Sequence, residues 1–218
     1  MLNNDFSYYN ILAVVVAYLL GSIPTAVWVS RWFYHVDIRE HGSGNAGATN
    51  TFRVLGAKAG IPVLIFDMLK GFTAVWFAAL YSKYVNGTEP MIAFKIVIGV
   101  VAAFGHVFPV FAGFKGGKGV ATLFGVVLAL HWQAAISCLG IFTLVLLISR
   151  YVSLGSMITA IAFPLMVLLV YKIDSPSFIG FSVLIALLVI LTHQKNISRL
   201  VSGEESRVNL KLRKGKKF

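Results

Sequence analysis

Long intervals without a charged residue decide what this chain can fold into. Residues 6–30, 96–114, 151–171 and 175–194 contain none, and 59–82 is interrupted only by Asp67 and Lys70. A helix that crosses a hydrocarbon core of roughly 30 Å needs about 20 such residues. Composition excludes the soluble alternative. Hydrophobic residues make up 58% and charged residues 12% of the chain, against roughly 45–50% and about 25% in globular domains. A single soluble core could not hide that surplus without large apolar surface patches. The 218 residues leave room for six or seven crossings and no sizeable extramembrane domain. The expected fold is therefore all-α, a polytopic integral membrane protein forming one transmembrane domain over 1–218. The lone cysteine, Cys138, excludes an internal disulfide framework and a cysteine-rich metal site.

Residues 119–149 decide the number of crossings. As one helix, those 31 residues would run about 46 Å, too long for the bilayer core. As two, they divide at the polar triplet His131, Trp132, Gln133. Basic residues arbitrate. With seven spans and 31–53 cytoplasmic, fifteen Lys and Arg lie inside and three outside. With six spans the same side holds seven against eleven. The positive-inside rule favours seven transmembrane helices, with the N-terminus outside and the C-terminus cytoplasmic. No basic residue precedes the first span, so it reads as a retained helix rather than a cleaved signal. The basic tail, 207–218, reads as a segment lying on anionic lipid or as a solvated end.

Seven spans gather three polar segments, 31–53, 113–122 and 193–206, on one face. The first contains HGSGNAGATNTFR (41–53). Its glycines allow close backbone approach. Ser43, Asn45, Thr49 and Asn50 offer neutral hydrogen-bonding groups, and Arg53 offers a planar fork suited to phosphate. The second, GHVFPVFAGFKGGKGVAT (105–122), turns through Gly116, Gly117 and Gly119 into a helix, with Lys115 and Lys118 alongside. Amides at a helix start beside a lysine suit an anion. The spacing is not that of a Walker A loop, which argues against ATP hydrolysis. The third, HQKNISRLVSGEE (193–205), places His193 and Asn196 one turn apart. Within the second span, Asp67 and Lys70 are either a substrate contact or a self-neutralising pair with a snorkelling lysine. His106 and His131 lack partners at metal-ligand spacing, and Cys138 reads as packing.

These three segments, in this order and between apolar spans, resemble the motifs of bacterial acyl-phosphate:glycerol-3-phosphate acyltransferases, the PlsY type. The likeness extends to Gly-Ser-Ile-Pro at 21–24 and Asp-x-x-Lys-Gly at 67–71. It implies a seven-helix enzyme of the bacterial inner membrane with its active site facing the cytoplasm. Such an enzyme moves a fatty acyl group from acyl phosphate to the 1-hydroxyl of sn-glycerol 3-phosphate. The products are lysophosphatidic acid and phosphate, in phospholipid biosynthesis. By the same resemblance Ser43 and Arg53 are catalytic, the glycine-rich turn with Lys118 binds glycerol phosphate, and His193 and Asn196 are required for activity. Glu205 matches a structural position, as Asp67 does in the paired reading. Lys70 and one of Ser153 or Ser156 are expected to reach the phosphates. Implied partners are the two substrates, membrane lipids and the soluble enzyme that makes acyl phosphate, with no nucleic acid.

Acyl phosphate carries its own leaving group, so no metal, thiol or other cofactor is required. The chain must supply orientation and charge neutralisation, worth several kcal/mol. His193 is either a general base on the glycerol hydroxyl or a group that positions the leaving phosphate. Direct attack is preferred to an acyl-Ser43 intermediate, because the sequence assures Ser43 no base. A transporter for phosphorylated anions is the competing class, disfavoured because 133–149 and 177–192 carry only scattered Ser and Thr.

Overall fold

The computed structural model describes residues 8–81 and 84–208, and among them there is no strand. Lys83 and the tail from 209 onward, both used in the charge count, lie outside the described residues. The helices are α1 (Tyr8–Gly21), α2 (Thr25–Tyr34), α3 (Ala48–Leu55), α4 (Ala57–Tyr81), α5 (Glu89–Val107), α6 (Val120–Leu130), α7 (Trp132–Ser149), α8 (Val152–Leu165), α9 (Pro176–Thr192) and α10 (Gln194–Val201). Five stretches are long and apolar enough to cross a membrane, and α9 with α10 makes a sixth if that bent pair is one span. Helix α6 is shorter: its 11 residues rise about 16 Å.

Local chemistry explains where the charge-free intervals break. The first is not one straight helix. Helix α1 stops at Gly21, and Pro24, which has no amide hydrogen to give, stands before α2. The 119–149 interval divides at His131, and that residue serves both halves. Its amide donates to the Val127 carbonyl to close α6. Its Nδ1 accepts from the Ala134 amide, 3.2 Å away, to open α7. Helix α8 runs past Pro164 into a π-turn, Met166–Val170. The chain then bends by 60° between α9 and α10, so His193 stands at a corner rather than inside a continuing helix.

Glycines let backbones meet where apolar attraction alone would not hold helices together in lipid. A methyl group at Gly71 would lie 2.1 Å from the Thr122 carbonyl oxygen, and one at Gly125 would lie 1.9 Å from that of Met68. Helices α4 and α6 therefore press together through reciprocal glycine contacts. Helices α1 and α5 do the same through Gly21 against Ala102 and Gly105 against Tyr18. The largest buried cluster fills the space among α4 to α9 and includes Val75, Val126, Ala134, Phe163 and Phe181. Large apolar side chains such as Leu144, Leu169 and Leu187 project outward, as a lipid-facing surface requires.

Candidate active site

One cavity of about 650 Å³ draws on all three polar segments. Ser43, Asn45, Thr49, Asn50 and Arg53 line it from the first, Lys118 and Gly119 from the second, and His193, Asn196, Arg199 and Glu205 from the third. Ser153 and Ser156 join them from the first turns of α8. Away from this polar end, Leu64, Met68, Leu123, Phe124, Leu139, Phe142, Phe163 and Ile185 continue the wall. The cavity is thus amphipathic, with cations clustered at one end and a mostly apolar wall beyond, into which Asp67, His106 and Thr159 also reach.

Each segment is held by its own hydrogen bonds. Gly42 and Gly44 have positive φ, and the buried Asn50 carboxamide fastens the loop they form. Its oxygen accepts from the Ser43 amide at 2.9 Å, while its nitrogen donates to the Ile38 and His41 carbonyls at 3.1 and 2.9 Å. Asn50 is thereby fully engaged with backbone. In the second segment Gly119 caps α6 with φ +78, and Lys118 Nζ donates to Asn196 Oδ1. Glu205 is the hub of the third. It accepts from Ser153 Oγ at 2.7 Å and from Asn196 Nδ2 at 2.6 Å, and pairs with Arg199 at 3.1 Å. Ser156 instead donates to the Val152 carbonyl.

His193 is buried at the corner after α9. Its Nδ1 lies 2.7 Å from the Val189 carbonyl. A carbonyl only accepts, so Nδ1 carries the hydrogen and Nε2 keeps its lone pair. Burial and the Lys118 charge push the imidazole down to about 4, against the opposing Val189 bond and Glu205. His193 is therefore neutral near pH 7. Burial also lowers Lys118 to about 8; Glu205 resists this, while Arg199 and Arg53 add to it. Burial lowers Arg53 as well, opposed by Glu205, and a guanidinium has several units in reserve. Burial raises the Glu205 carboxyl, but bonds from Ser153 and Asn196 and the charges of Arg199 and Lys118 prevail and hold it below the usual value.

Not every anticipated residue reaches this cavity. Lys115 and Gly116 line a neighbouring depression with Arg31, Asp37 and Arg39. Lys70 is buried and bonded to Asp67 at 2.6 Å, and it does not line the cavity, whereas Asp67 does. Gly117 packs on His106. Three contributors went unassigned from sequence. Arg199 lies one helical turn beyond Asn196, a spacing that could have exposed it. His106 stands in the second motif but draws its meaning from Asp67, across the fold. Arg39 chelates Asp37 through Nε and Nη2 and donates from Nη1 to the Ala112 carbonyl at 2.8 Å, tying the first segment to the second.

Apolar helices long enough to span a membrane, around a cavity with clustered cations at one end and a largely apolar wall beyond, place the chain in the class of integral membrane proteins. The chain belongs to the glycerol-3-phosphate acyltransferase family, whose model matches residues 11–203. A glycerol-3-phosphate acyltransferase of Chlorobaculum tepidum is 42% identical, covering 90% of this chain and 95% of that one. One of Fusobacterium nucleatum is 44% identical, covering 89% and 95%. The crystal structure of PlsY (YgiH), an integral membrane glycerol 3-phosphate acyltransferase, superposes in its glycerol 3-phosphate form with a TM-score of 0.81. It shares 37% identity and covers 92% of this chain and 96% of its own. The lysophosphatidic acid form of that protein gives 0.79, at the same identity.

Proposed function

We propose that this chain transfers a fatty acyl group from acyl phosphate to the 1-hydroxyl of sn-glycerol 3-phosphate, releasing lysophosphatidic acid and inorganic phosphate. One observation carries the reading: Ser43, Arg53, Lys118 and His193, from distant parts of the sequence, line a single cavity whose wall continues along apolar side chains such as Leu64, Phe124, Phe142 and Ile185. The two solved forms of the structural neighbour, with glycerol 3-phosphate and with lysophosphatidic acid, support the same substrate and product here.

Lys118, Arg53 and the amides around Gly119 hold the phosphates, and the apolar shaft takes the acyl chain. His193 Nε2 accepts the proton of the glycerol hydroxyl as its oxygen attacks the acyl carbon. The new carbon–oxygen ester bond forms while the bond to the phosphate oxygen breaks. The phosphate leaves, and the proton on His193 passes to it. Ser43 and Asn45 donate to the carbonyl oxygen as negative charge grows there, a contribution of about 3 kcal/mol per well-placed donor. Lys118 bonds the Asn196 oxygen and Glu205 binds the Asn196 nitrogen, so Asn196 is a positioning residue for the lysine.

In this reading the chain forms one domain that crosses the inner membrane seven times, with the cavity's polar end on the cytoplasmic side. Residues at the start of α6, the start of α8 and the end of α9 share that polar end, which supports α6 as an outward crossing, α7 as its return, and the pair α8 and α9 likewise. The test is direct: purified protein in detergent, palmitoyl phosphate and labelled glycerol 3-phosphate should yield labelled lysophosphatidic acid. Product formed with acyl-CoA but not with acyl phosphate would overturn the donor assignment. His193→Ala should lower kcat by about 10²–10⁴-fold, and near-normal turnover would remove the base.

A further inference from the structure

Beneath the glycine turn lies a group of ionisable side chains to which the proposed chemistry assigns no role, two of which, Asp67 and His106, also border the cavity. Lys70, Asp67 and His106 are all at least nine-tenths buried. Lys70 Nζ lies 2.6 Å from Asp67 Oδ1, and His106 Nδ1 lies 3.7 Å from the same oxygen. The second Asp67 oxygen is buried and makes no hydrogen bond among the described residues. Ionisable groups at such depth are expensive and need a reason.

The reason lies one layer above. A methyl group at Gly117 would stand 2.2 Å from His106 Nε2 and 3.1 Å from both flanking ring carbons. The backbone at 117 thus rests on the tip of the imidazole. The Gly117 amide donates to the His106 carbonyl, and the Gly116 amide to that of Val107, each at 3.2 Å. Gly116 has no room for a side chain either, because its methyl would fall 2.0 Å from the His106 carbonyl oxygen. Lys118 is the next residue along. Its height and direction are set by a turn seated on one histidine ring, and that ring is aimed by an aspartate held in an ion pair.

We propose that Lys70, Asp67 and His106 are positioning residues that carry the glycine turn and so fix Lys118 against the substrate phosphate. The inference rests on the reading of Lys118 as a phosphate ligand, and a double-mutant cycle separates the two. His106→Ala should lower kcat/KM for glycerol 3-phosphate by about tenfold while changing the KM for palmitoyl phosphate less than about twofold. In the Lys118→Ala background the same substitution should cost less than about twofold, since the group it positions is absent. Equal losses in both backgrounds would overturn the inference and mark His106 as a packing residue alone. If Lys118→Ala by itself leaves kcat/KM unchanged, the phosphate reading falls and this inference falls with it. Should His106→Ala not yield folded protein, His106→Gln serves in the same cycle. Gly117→Ala adds an independent arm. It should cripple the enzyme in the presence of the imidazole and regain activity when combined with His106→Ala, which vacates the space. No regain would count against the seating of the turn on this ring.

Discussion

Lys118 sits near two other cations, Arg53 and Arg199, and burial holds it at about 8, so pH should be felt there first. The lysine carries its charge below that value and loses it above. With a charged lysine needed for phosphate, kcat/KM for glycerol 3-phosphate should fall about tenfold per unit above pH 8. Lys118→Arg should push this alkaline limb beyond pH 10, because a guanidinium stays protonated. On the acid side the proposed base, His193, is needed unprotonated, and its value of about 4 predicts no histidine limb between pH 5 and 7. Asn50 poses a different question. Its carboxamide serves three backbone groups, so Asn50→Ala should destabilise the fold by about 2–4 kcal/mol from unsatisfied partners. The drop in unfolding midpoint should come with weaker binding of glycerol 3-phosphate. An unchanged midpoint would assign Asn50 to substrate instead. Residue type singled out Arg53 and Lys118, a fork and an ammonium beside glycines suited to phosphate, whereas Ser43 and His193 took their expected roles from the resemblance of the motifs that hold them. Arg199, Arg39 and His106 escaped because each takes its meaning from a partner supplied by the fold: Glu205, Ala112 and Asp67.

Between helices, the contact of α4 with α6 is made by backbone rather than by side chains. A methyl group added at Gly71 or Gly125 would fall 2.1 or 1.9 Å from a carbonyl oxygen of the opposing helix, and main chain cannot rotate aside. Gly125→Leu should therefore lower stability by about 3 kcal/mol, the upper end of ordinary overpacking. It should also displace Gly119 and Lys118 at the head of α6, so activity falls with the thermal midpoint in detergent. Gly140 on α7 has nothing within 4 Å of its added methyl, and Gly140→Leu is the control expected to leave both unchanged. Sequence patterning disclosed one break and missed two. The polar triplet at 131–133 announced the end of α6, because a helix in lipid has few other places for His131 and Gln133. The kink at Pro24 and the corner at His193 fall inside charge-free intervals, where hydropathy sees no boundary. Proline chemistry could have exposed the first. The second depends on α10 turning so that Asn196 meets Lys118 and Glu205.

Across the whole molecule, the number of crossings determines which segments can meet. Helix length alone supports five spans or six, because α6 is short and α9 ends in a bend. Chain return argues for seven. Lys118 at the head of α6, Ser153 at the head of α8, and Asn196 and Glu205 beyond α9 are linked by hydrogen bonds, so the chain must come back to one end after every second helix. The C-terminal segment reinforces this. Arg207 Nε donates to the Tyr151 hydroxyl at 3.0 Å, and the Val208 amide donates to the Arg150 carbonyl, joining the α7–α8 turn to the segment after α10. Accessibility labelling tests the topology with little background, since Cys138 is the sole cysteine and is buried. Single cysteines at Lys115 and Ser202 should react from the cytoplasmic side of intact spheroplasts only after permeabilisation. Those at Asn86 and Lys172, exposed at the opposite turns, should react before it. The orientation expected from charge asymmetry depends on the membrane potential and on anionic lipid; the chain's return to one polar end depends on neither. Labelling that inverted all four positions would reverse the orientation and keep the shared face. Labelling that separated Lys115 from Ser202 would break the site itself, because Lys118 and Asn196 could no longer touch.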